Sequence, residues 1–501
     1  MYSKAKHVAV GALFFCLLRF SAPVAQSIPS TPIAQDEESR PRGNRGGGKG
    51  KSAGGESTPL EVRMPTPAFQ TEVPQRSHDI LLSRPTATSI TASLLAFESM
   101  EGFLVVQEAQ GKEVVRTSPS QLQPGKPLEI QIHPLRPNAQ YRYRFYHRSD
   151  PLQPFVQDPE RMFHTARSAG SSFTFSVQAD SHLDYGTDLQ LYRQSLERVL
   201  ASQADFHVDL GDTFMTDKYL RYLEAEPQYL AQRYYFGLIG HSIPVYWVLG
   251  NHDGEGPGRG REGADMGLWS LAQRKRYFPN PVPDDFYSGN LTPHAQAGPL
   301  QDYYAWSWGD GLFVVLDPFW FSPKQRGRGG DNWNRTLGEQ QYRWLVQLLE
   351  AKPSRFTFVF IHHLVGGQTP EGRGGAEASR FFEWGGREAQ GQDLFGQKRP
   401  GWPAPIHDLL SKRTGVIVFH GHDHFFAHQI RDGVTYQLVP QPGHRRGAVN
   451  SAAEYGYRDG TILPGSGVLQ VHVSPRQTQV DFLRVASGSA PAVSYSYKVV
   501  P

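Results

Sequence analysis

The chain has 501 residues, enough for two or three domains, and its 39% hydrophobic and 20% charged residues are ordinary for a globular protein. A formal net charge of +3 argues against a nucleic-acid-binding protein. The single cysteine, Cys16, argues against a small extracellular fold held together by disulfides.

Residues 1–27 are predicted to form a signal peptide. Lys4 and Lys6 precede the short apolar stretch 8–20, and small residues such as Ala25 follow it. This order is typical of an export signal, and the stretch is too short for a comfortable membrane anchor. No other stretch of the sequence is long and apolar enough to cross a bilayer. We therefore expect a secreted or periplasmic protein.

The next segment, residues 28–58, is rich in Gly, Ser, Pro and Arg. Such a composition cannot bury a hydrophobic core, so we expect a disordered linker that acts as a flexible spacer.

From residue 59 to residue 168 the sequence predicts a small all-β sandwich. Apolar and polar residues alternate over residues 89–97, 128–132 and 141–146, as they do in strands with one buried face. Turns that contain Pro and Gly separate these stretches, which favours antiparallel sheets.

Residues 169–501 are predicted to form an α/β domain, because short apolar strands alternate with helical patterns. Strands are predicted at residues 173–177, 206–210, 245–249, 312–316, 356–361 and 416–419. Helices are predicted at residues 189–200, 217–238 and 338–349. The Gly-rich stretch 366–403 has weak periodicity, and we expect a long loop there that covers the functional site.

Short polar motifs directly follow strands of this domain. In chain order they are Asp180-Ser181-His182, Gly211-Asp212, Gly250-Asn251-His252-Asp253, His362-His363 and Gly421-His422-Asp423-His424. The carboxyl ends of strands in an α/β sheet open onto one crevice, so these motifs can converge. Asp, Asn and neutral His are donors for divalent or trivalent metals, and a carboxylate such as Asp212 can bridge two ions. Each motif alone is a weak signal, but the ordered set predicts a metal site.

Taken in this order, the motifs resemble the signature of calcineurin-like metallophosphoesterases over roughly residues 173–501. The resemblance implies a fold of two packed sheets flanked by helices. It also implies that two divalent or mixed-valence ions of Fe, Mn or Zn activate water to hydrolyse a small phosphoester. The preceding sandwich, through residues 137–143, is similar to the fibronectin-III-like domain of purple acid phosphatases.

The resemblance implies seven protein ligands for two ions. The ligands of one ion would be Asp180, His182 and His424. The ligands of the other ion would be Asn251, His362 and His422, and the carboxylate of Asp212 would bridge the two ions.

Two further residues are implied to act in catalysis. His252 would face the substrate and protonate or stabilise the leaving oxygen, and Asp253 would orient it. Purple acid phosphatases carry a tyrosine ligand where this sequence has Met215, so we expect no tyrosine-to-iron colour. His363 is interpreted as a neighbour of the ligand His362.

Other functions remain open at this point. The pocket that separates a phosphatase from a phosphodiesterase is not encoded in the motifs. A non-catalytic binding protein that uses the β-sandwich is an alternative, although a complete set of ligand residues disfavours it. Hydrolysis of a non-phosphate ester is disfavoured only by the resemblance.

Overall fold

The computed structural model describes residues 69–219, 221–259, 265–323, 331–486 and 492–501. The predicted signal peptide and linker, residues 1–58, lie outside these ranges. Among the described residues, no helix combines the length and the apolar character that crossing a bilayer requires.

The first part of the described chain is a two-sheet antiparallel sandwich, as the alternating pattern predicts. Its strands are β1 His78–Ser83, β2 Ile90–Ala96, β3 Met100–Glu108, β4 Glu113–Arg116, β5 Ser120–Leu122, β6 Leu128–Ile132, β7 Gln140–Arg148, β8 Val156–Gln157 and β9 Arg161–His164. One sheet has the order β1-β2-β6, and the other has the order β4-β3-β7-β8, with β5 on β3 and β9 on β7. Leu82, Leu94, Val106 and Phe145 fill the space between them.

The rest of the chain forms an α/β structure with two further sheets. Its strands are β10 Phe173–Gln178, β11 Phe206–Asp209, β12 Val245–Trp247, β13 Ser288–Gly289, β14 Tyr304–Trp308, β15 Gly311–Val315, β16 Phe356–Phe360, β17 Val416–His420, β18 Phe426–Arg431, β19 Val434–Leu438, β20 Thr461–Leu463, β21 Ser466–Val473, β22 Thr478–Val485 and β23 Ala492–Val499. The sheet orders are β12-β11-β10-β21-β22-β23 and β13-β14-β15-β16-β17-β19-β18-β20.

The two α/β sheets pack face to face through aromatic side chains. Phe175 contributes from β10, Phe206 from β11, Phe313 from β15, and Phe358 and Phe419 from β16 and β17. β10, β11 and β12 pair in parallel, and so do β15, β16, β17 and β19. The carboxyl ends of these parallel strands therefore meet along one edge of the two sheets.

Helices cover the outer faces of both sheets. They are α1 Leu189–Ala201, α2 Glu226–Gly240, α3 Met266–Tyr277, α4 Gly338–Ala351, α5 Phe382–Gly385, α6 Phe395–Lys398 and α7 Ile406–Ser411. α1, α2 and α3 pack on the sheet of β12, and α4 and α7 pack on the other sheet. This arrangement is the predicted α/β fold of two packed sheets flanked by helices. It shares one compact unit, Met64–Pro501, with the sandwich.

Two predicted elements differ from the structure. The helix expected over residues 217–238 begins only at Glu226, where Pro227 occupies the first turn. Proline is tolerated there but not inside a helix, because it has no N–H to donate. The loop expected over residues 366–403 contains α5 and α6 and buries Trp384 completely.

Candidate metal centre

The five sequence motifs lie together at the carboxyl ends of parallel strands. Asp180 follows β10, Asp212 follows β11, Asn251 follows β12, His362 follows β16 and His422 follows β17. The structure therefore brings the residues of both packed sheets into one crevice, as the motif order predicts.

A first group of three potential metal ligands consists of Asp180, His182 and His424, whose ligand atoms all lie within 4.8 Å of one another. His424 Nε2 is 3.4 Å from Asp180 Oδ1, and His182 Nε2 is 3.7 Å from the same oxygen. Both imidazoles thus face one carboxylate oxygen, which is the arrangement that a single ion needs.

A second group consists of Asp212, His362 and His422, and all three side chains are buried. Asn251 belongs beside it, because its Oδ1 lies 3.0 Å from His362 Nε2. His362 Nδ1 lies 2.8 Å from the carbonyl oxygen of Leu210 and donates to it, so Nε2 is the nitrogen that is directed at Asn251 and Asp212.

Asp212 connects the two groups. Its Oδ2 lies 3.3 Å from His182 Nε2 of the first group and 3.3 Å from His362 Nε2 of the second. A carboxylate in this position can contact ions held by both groups, so the geometry suits a bridging ligand.

Two buried polar atoms in these groups indicate that the residues fit metal ions. Asp180 Oδ1 and His422 Nε2 are buried and make no hydrogen bond to any other described residue. A buried polar atom without a partner costs about 1–3 kcal/mol. Ions held by the two groups would satisfy both atoms, and the donor set of carboxylate, amide and imidazole suits Fe, Mn or Zn.

The backbone at these groups is held in a rare conformation. Five potential ligands have the positive φ angles of the left-handed region: Asp180 58°, His182 45°, Asp212 54°, His422 75° and His424 68°. Each such residue costs about 1–3 kcal/mol, and such strain clusters at functional sites. The tight turns direct the ligand side chains back into the crevice.

Close backbone approach at the crevice requires glycine at two positions. A Cβ on Gly421 would lie 2.6 Å from Asp180 Oδ2, and one on Gly250 would collide with the backbone nitrogen of Asp212. The glycines predicted to allow tight turns are therefore also needed for the two carboxylates to reach their places.

His252 lies at the mouth of the crevice, with its side chain 20% exposed. Its Nδ1 is 2.8 Å from Asp217 Oδ1, and its Nε2 is 3.9 Å from Asp212 Oδ2. Burial lowers the pKa of His252, but the charge of Asp212 and the hydrogen bond with Asp217 outweigh it and raise the pKa above its usual value.

In the structure the imidazole of His252 contacts Asp217, and not Asp253, which was predicted to orient it. Asp253 is buried and accepts hydrogen bonds from the backbone nitrogens of Gly250 at 2.6 Å, Phe214 at 2.8 Å and Asp212 at 3.2 Å. It fixes the turns that carry Asp212 and Asn251. These hydrogen bonds direct the carboxylate to the backbone, while the imidazole of His252 bonds to Asp217.

Sequence reasoning missed Asp217, which lies in the short 3-10 helix Thr216–Lys218 after Asp212 and contacts the imidazole of His252. Its position within a few residues of a motif was the only signal in the sequence. Arg259 was missed as well. Its Nη1 lies 3.3 Å from the carbonyl oxygen of Asn251, and its guanidinium lies 5.8 Å from the ring of Phe319, which borders His362 and His363.

The segment 366–403 packs against the second group. Arg373 Nη1 donates to the carbonyl oxygen of His422 at 2.7 Å and to Asp423 Oδ1 at 3.0 Å. The backbone nitrogen of Gly374 donates to Asp423 Oδ2 at 2.9 Å. Asp423, which lies between two potential ligands, therefore anchors this segment beside the crevice.

Charge is unevenly distributed within the crevice. Burial lowers the pKa of His182 to about 4 and that of His422 well below its usual value, so both are neutral donors. Burial also lowers the pKa of His362, but the charges of Asp212 and Asp180 outweigh it and raise the pKa to about 10. The negative charge of the two carboxylates therefore dominates where the groups meet, and it favours cations.

No protein-family model matches the sequence, and a search of curated proteins finds no significant match. Solved structures do match. PhoD is 13% identical, with a TM-score of 0.61 over 84% of this chain and 90% of its own chain. The purple acid phosphatase PPD1 from yellow lupin (Lupinus luteus) seeds is 14% identical, with a TM-score of 0.57 over 84% of this chain and 74% of its own. At these identities the comparisons establish the fold alone, which this chain shares with PhoD and with the purple acid phosphatase.

Proposed function

We propose that this chain is a secreted, metal-dependent phosphoesterase. The observation that carries the proposal is the pair of ligand groups that share Asp212 at the strand ends of this fold. One structural neighbour is named a purple acid phosphatase, which supports phosphate esters as the substrate class. The signal-like residues 1–27 support export.

Seven residues would hold the two ions of Fe, Mn or Zn. They are Asp180, His182 and His424 for one ion, Asn251, His362 and His422 for the other, and Asp212 for both. When bound, such a pair supplies Lewis-acid activation of water and neutralises the charge of the phosphate.

The protein's own contribution is to position these groups and a proton. His252 presents Nε2 towards the crevice while Asp217 holds Nδ1. A protonated His252 would donate to the leaving oxygen of the ester as the bond to phosphorus breaks. Arg259, beside the second group, would pair with a phosphate oxygen.

The test is turnover of an aryl phosphate monoester and of the matching diester by the metal-free and metal-loaded full chain. We expect hydrolysis that chelation abolishes and that Mn²⁺ or Fe restores. The Asp408→Asn variant, altered on the exposed side of α7, serves as a control and should retain activity. Metal-loaded protein that hydrolyses neither ester would contradict the proposal and favour a binding function.

A further inference from the structure

A third cluster of potential ligands lies in the β-sandwich, away from the motifs of the metal centre. It consists of His78, His147 and Asp158, and one ligand atom from each lies within 4.8 Å of the other two. All three side chains are mostly buried, with 11%, 18% and 19% of their surfaces exposed. The proposed phosphoesterase function makes no use of them.

The fold brings the three residues together from separate elements. His78 begins β1 in one sheet of the sandwich, and His147 lies in β7 of the other sheet. Asp158 follows β8, and its backbone nitrogen donates to the carbonyl oxygen of Phe145 at 2.8 Å. That bond fixes the carboxylate beside His147, at the point where the two sheets meet.

The geometry points to a zinc site: we propose that His78, His147 and Asp158 bind one Zn²⁺ ion, with water as the fourth ligand. His78 Nε2 lies 2.9 Å from Asp158 Oδ2, and His147 Nε2 lies 3.4 Å from Asp158 Oδ1. Tetrahedral zinc with ligand bonds of about 2.0–2.1 Å separates its ligands by roughly 3.3 Å. Little movement is therefore needed to receive the ion.

The surroundings prepare both imidazoles to act as ligands. Ser77 Oγ lies 3.0 Å from His78 Nδ1, which directs Nε2 of His78 towards the carboxylate. The ring of Phe145 contacts both imidazoles, with centroids 5.2 Å from His78 and 5.4 Å from His147.

The bound ion would act as a clamp between the two sheets. The chain's single cysteine is Cys16, so no intramolecular disulfide can do this. The neighbour of His78, Asp79, accepts a hydrogen bond at 2.8 Å from Arg233 on α2. Holding β1 in place therefore also holds the contact between the sandwich and the α/β layers.

The experiment counts zinc equivalents bound by the full chain in four proteins: wild type, His147→Gln, Asp158→Asn and His164→Gln. His164 is another half-buried histidine of the sandwich and lies on β9, so its variant is a matched control. We expect the two cluster variants to bind one equivalent fewer than wild type, and the control to bind the same number. Mg²⁺, which prefers oxygen ligands, should give no such difference.

This count distinguishes the sandwich site from the catalytic centre. The difference of one equivalent should persist whether or not the centre turns over a phosphoester, and the cluster variants should keep wild-type turnover. If His147→Gln fails to fold, the conservative Asp158→Asn decides. Equal zinc binding by folded cluster variants and wild type would overturn the proposal and leave a hydrogen-bonded His-Asp-His network without metal.

Discussion

His252 Nδ1 lies 2.8 Å from Oδ1 of Asp217, a carboxylate that belongs to neither ligand group. The contact leaves Nε2 directed towards the crevice, 3.9 Å from Asp212 Oδ2. One nitrogen of the imidazole is thus used for orientation, and the other is available to a substrate.

His252→Ala should keep near-normal metal content, because the ligand groups form without this imidazole. General acid catalysis is worth about 100- to 10,000-fold, so turnover should fall by that factor for esters with poor leaving groups. Esters with good leaving groups need less protonation, so their turnover should fall by a smaller factor. The measurement is a leaving-group series on both proteins, with metal content determined in parallel. Equal losses across the series would exclude the acid role, and loss of an ion would make His252 a ligand.

Asp217→Asn should reproduce part of this loss. Removing an orienting carboxylate typically costs about 10- to 100-fold, and the loss should fall on kcat for poor leaving groups, with metal content unchanged. Glu197→Gln, on the exposed face of α1, is the control and should leave kcat unchanged. Wild-type turnover by the Asp217 variant would show that the contact has no part in catalysis.

Asp212→Asn should abolish activity and lower the metal content of both groups. Its Oδ2 faces an imidazole of each group at 3.3 Å, so loss of the negative charge should weaken the binding of both ions. Metal analysis after dialysis, together with aryl phosphate turnover, checks this. Two tightly bound ions and normal turnover in this variant would contradict the bridging role.

The iron-loaded protein should not be purple. Met215 occupies the position at which purple acid phosphatases carry the colour-giving tyrosine, and its side chain is buried. A visible absorption spectrum before and after reduction checks the expectation. An intense phenolate-to-iron band that disappears on reduction would show that another tyrosine binds the ion.

Acid should destabilise the protein in part through His207 of β11, which lies outside the ligand groups. Burial lowers the pKa of His207 to about 3, so the unfolded state takes up a proton first, at its ordinary value of about 6.5. The neutral imidazole thus contributes stability above pH 6.5 that is lost as the pH falls towards 3. Each pH unit by which the solution is acidified in this window lowers the free energy of unfolding by up to about 1.4 kcal/mol.

The measurement is the free energy of unfolding in urea between pH 7 and pH 4 for wild type and His207→Gln. The glutamine variant can still bond to Ser176, which lies 2.8 Å from His207 Nδ1. We expect the variant to lose less stability per pH unit than wild type. Parallel slopes would show that His207 does not control the acid sensitivity.

The sequence by itself determined the α/β order of the catalytic part and the motifs that meet in it. Apolar strands and helical spacing are local patterns, and parallel strands necessarily bring their carboxyl ends to one edge. It was therefore possible to predict that Asp180 and His422, which are far apart in the chain, lie in one crevice. The structure places the backbone nitrogen of His422 2.9 Å from Asp180 Oδ2.

Only the tertiary structure decided where individual side chains point. Asp253 follows His252 directly, but the turn directs its carboxylate to backbone nitrogens, and Asp217 from a short 3-10 helix contacts the imidazole instead. His78 and Asp158 carry no motif, since one begins a strand and the other lies between β8 and β9, 80 residues later. Such contacts depend on the packing of separate elements, which neither periodicity nor spacing along the chain encodes.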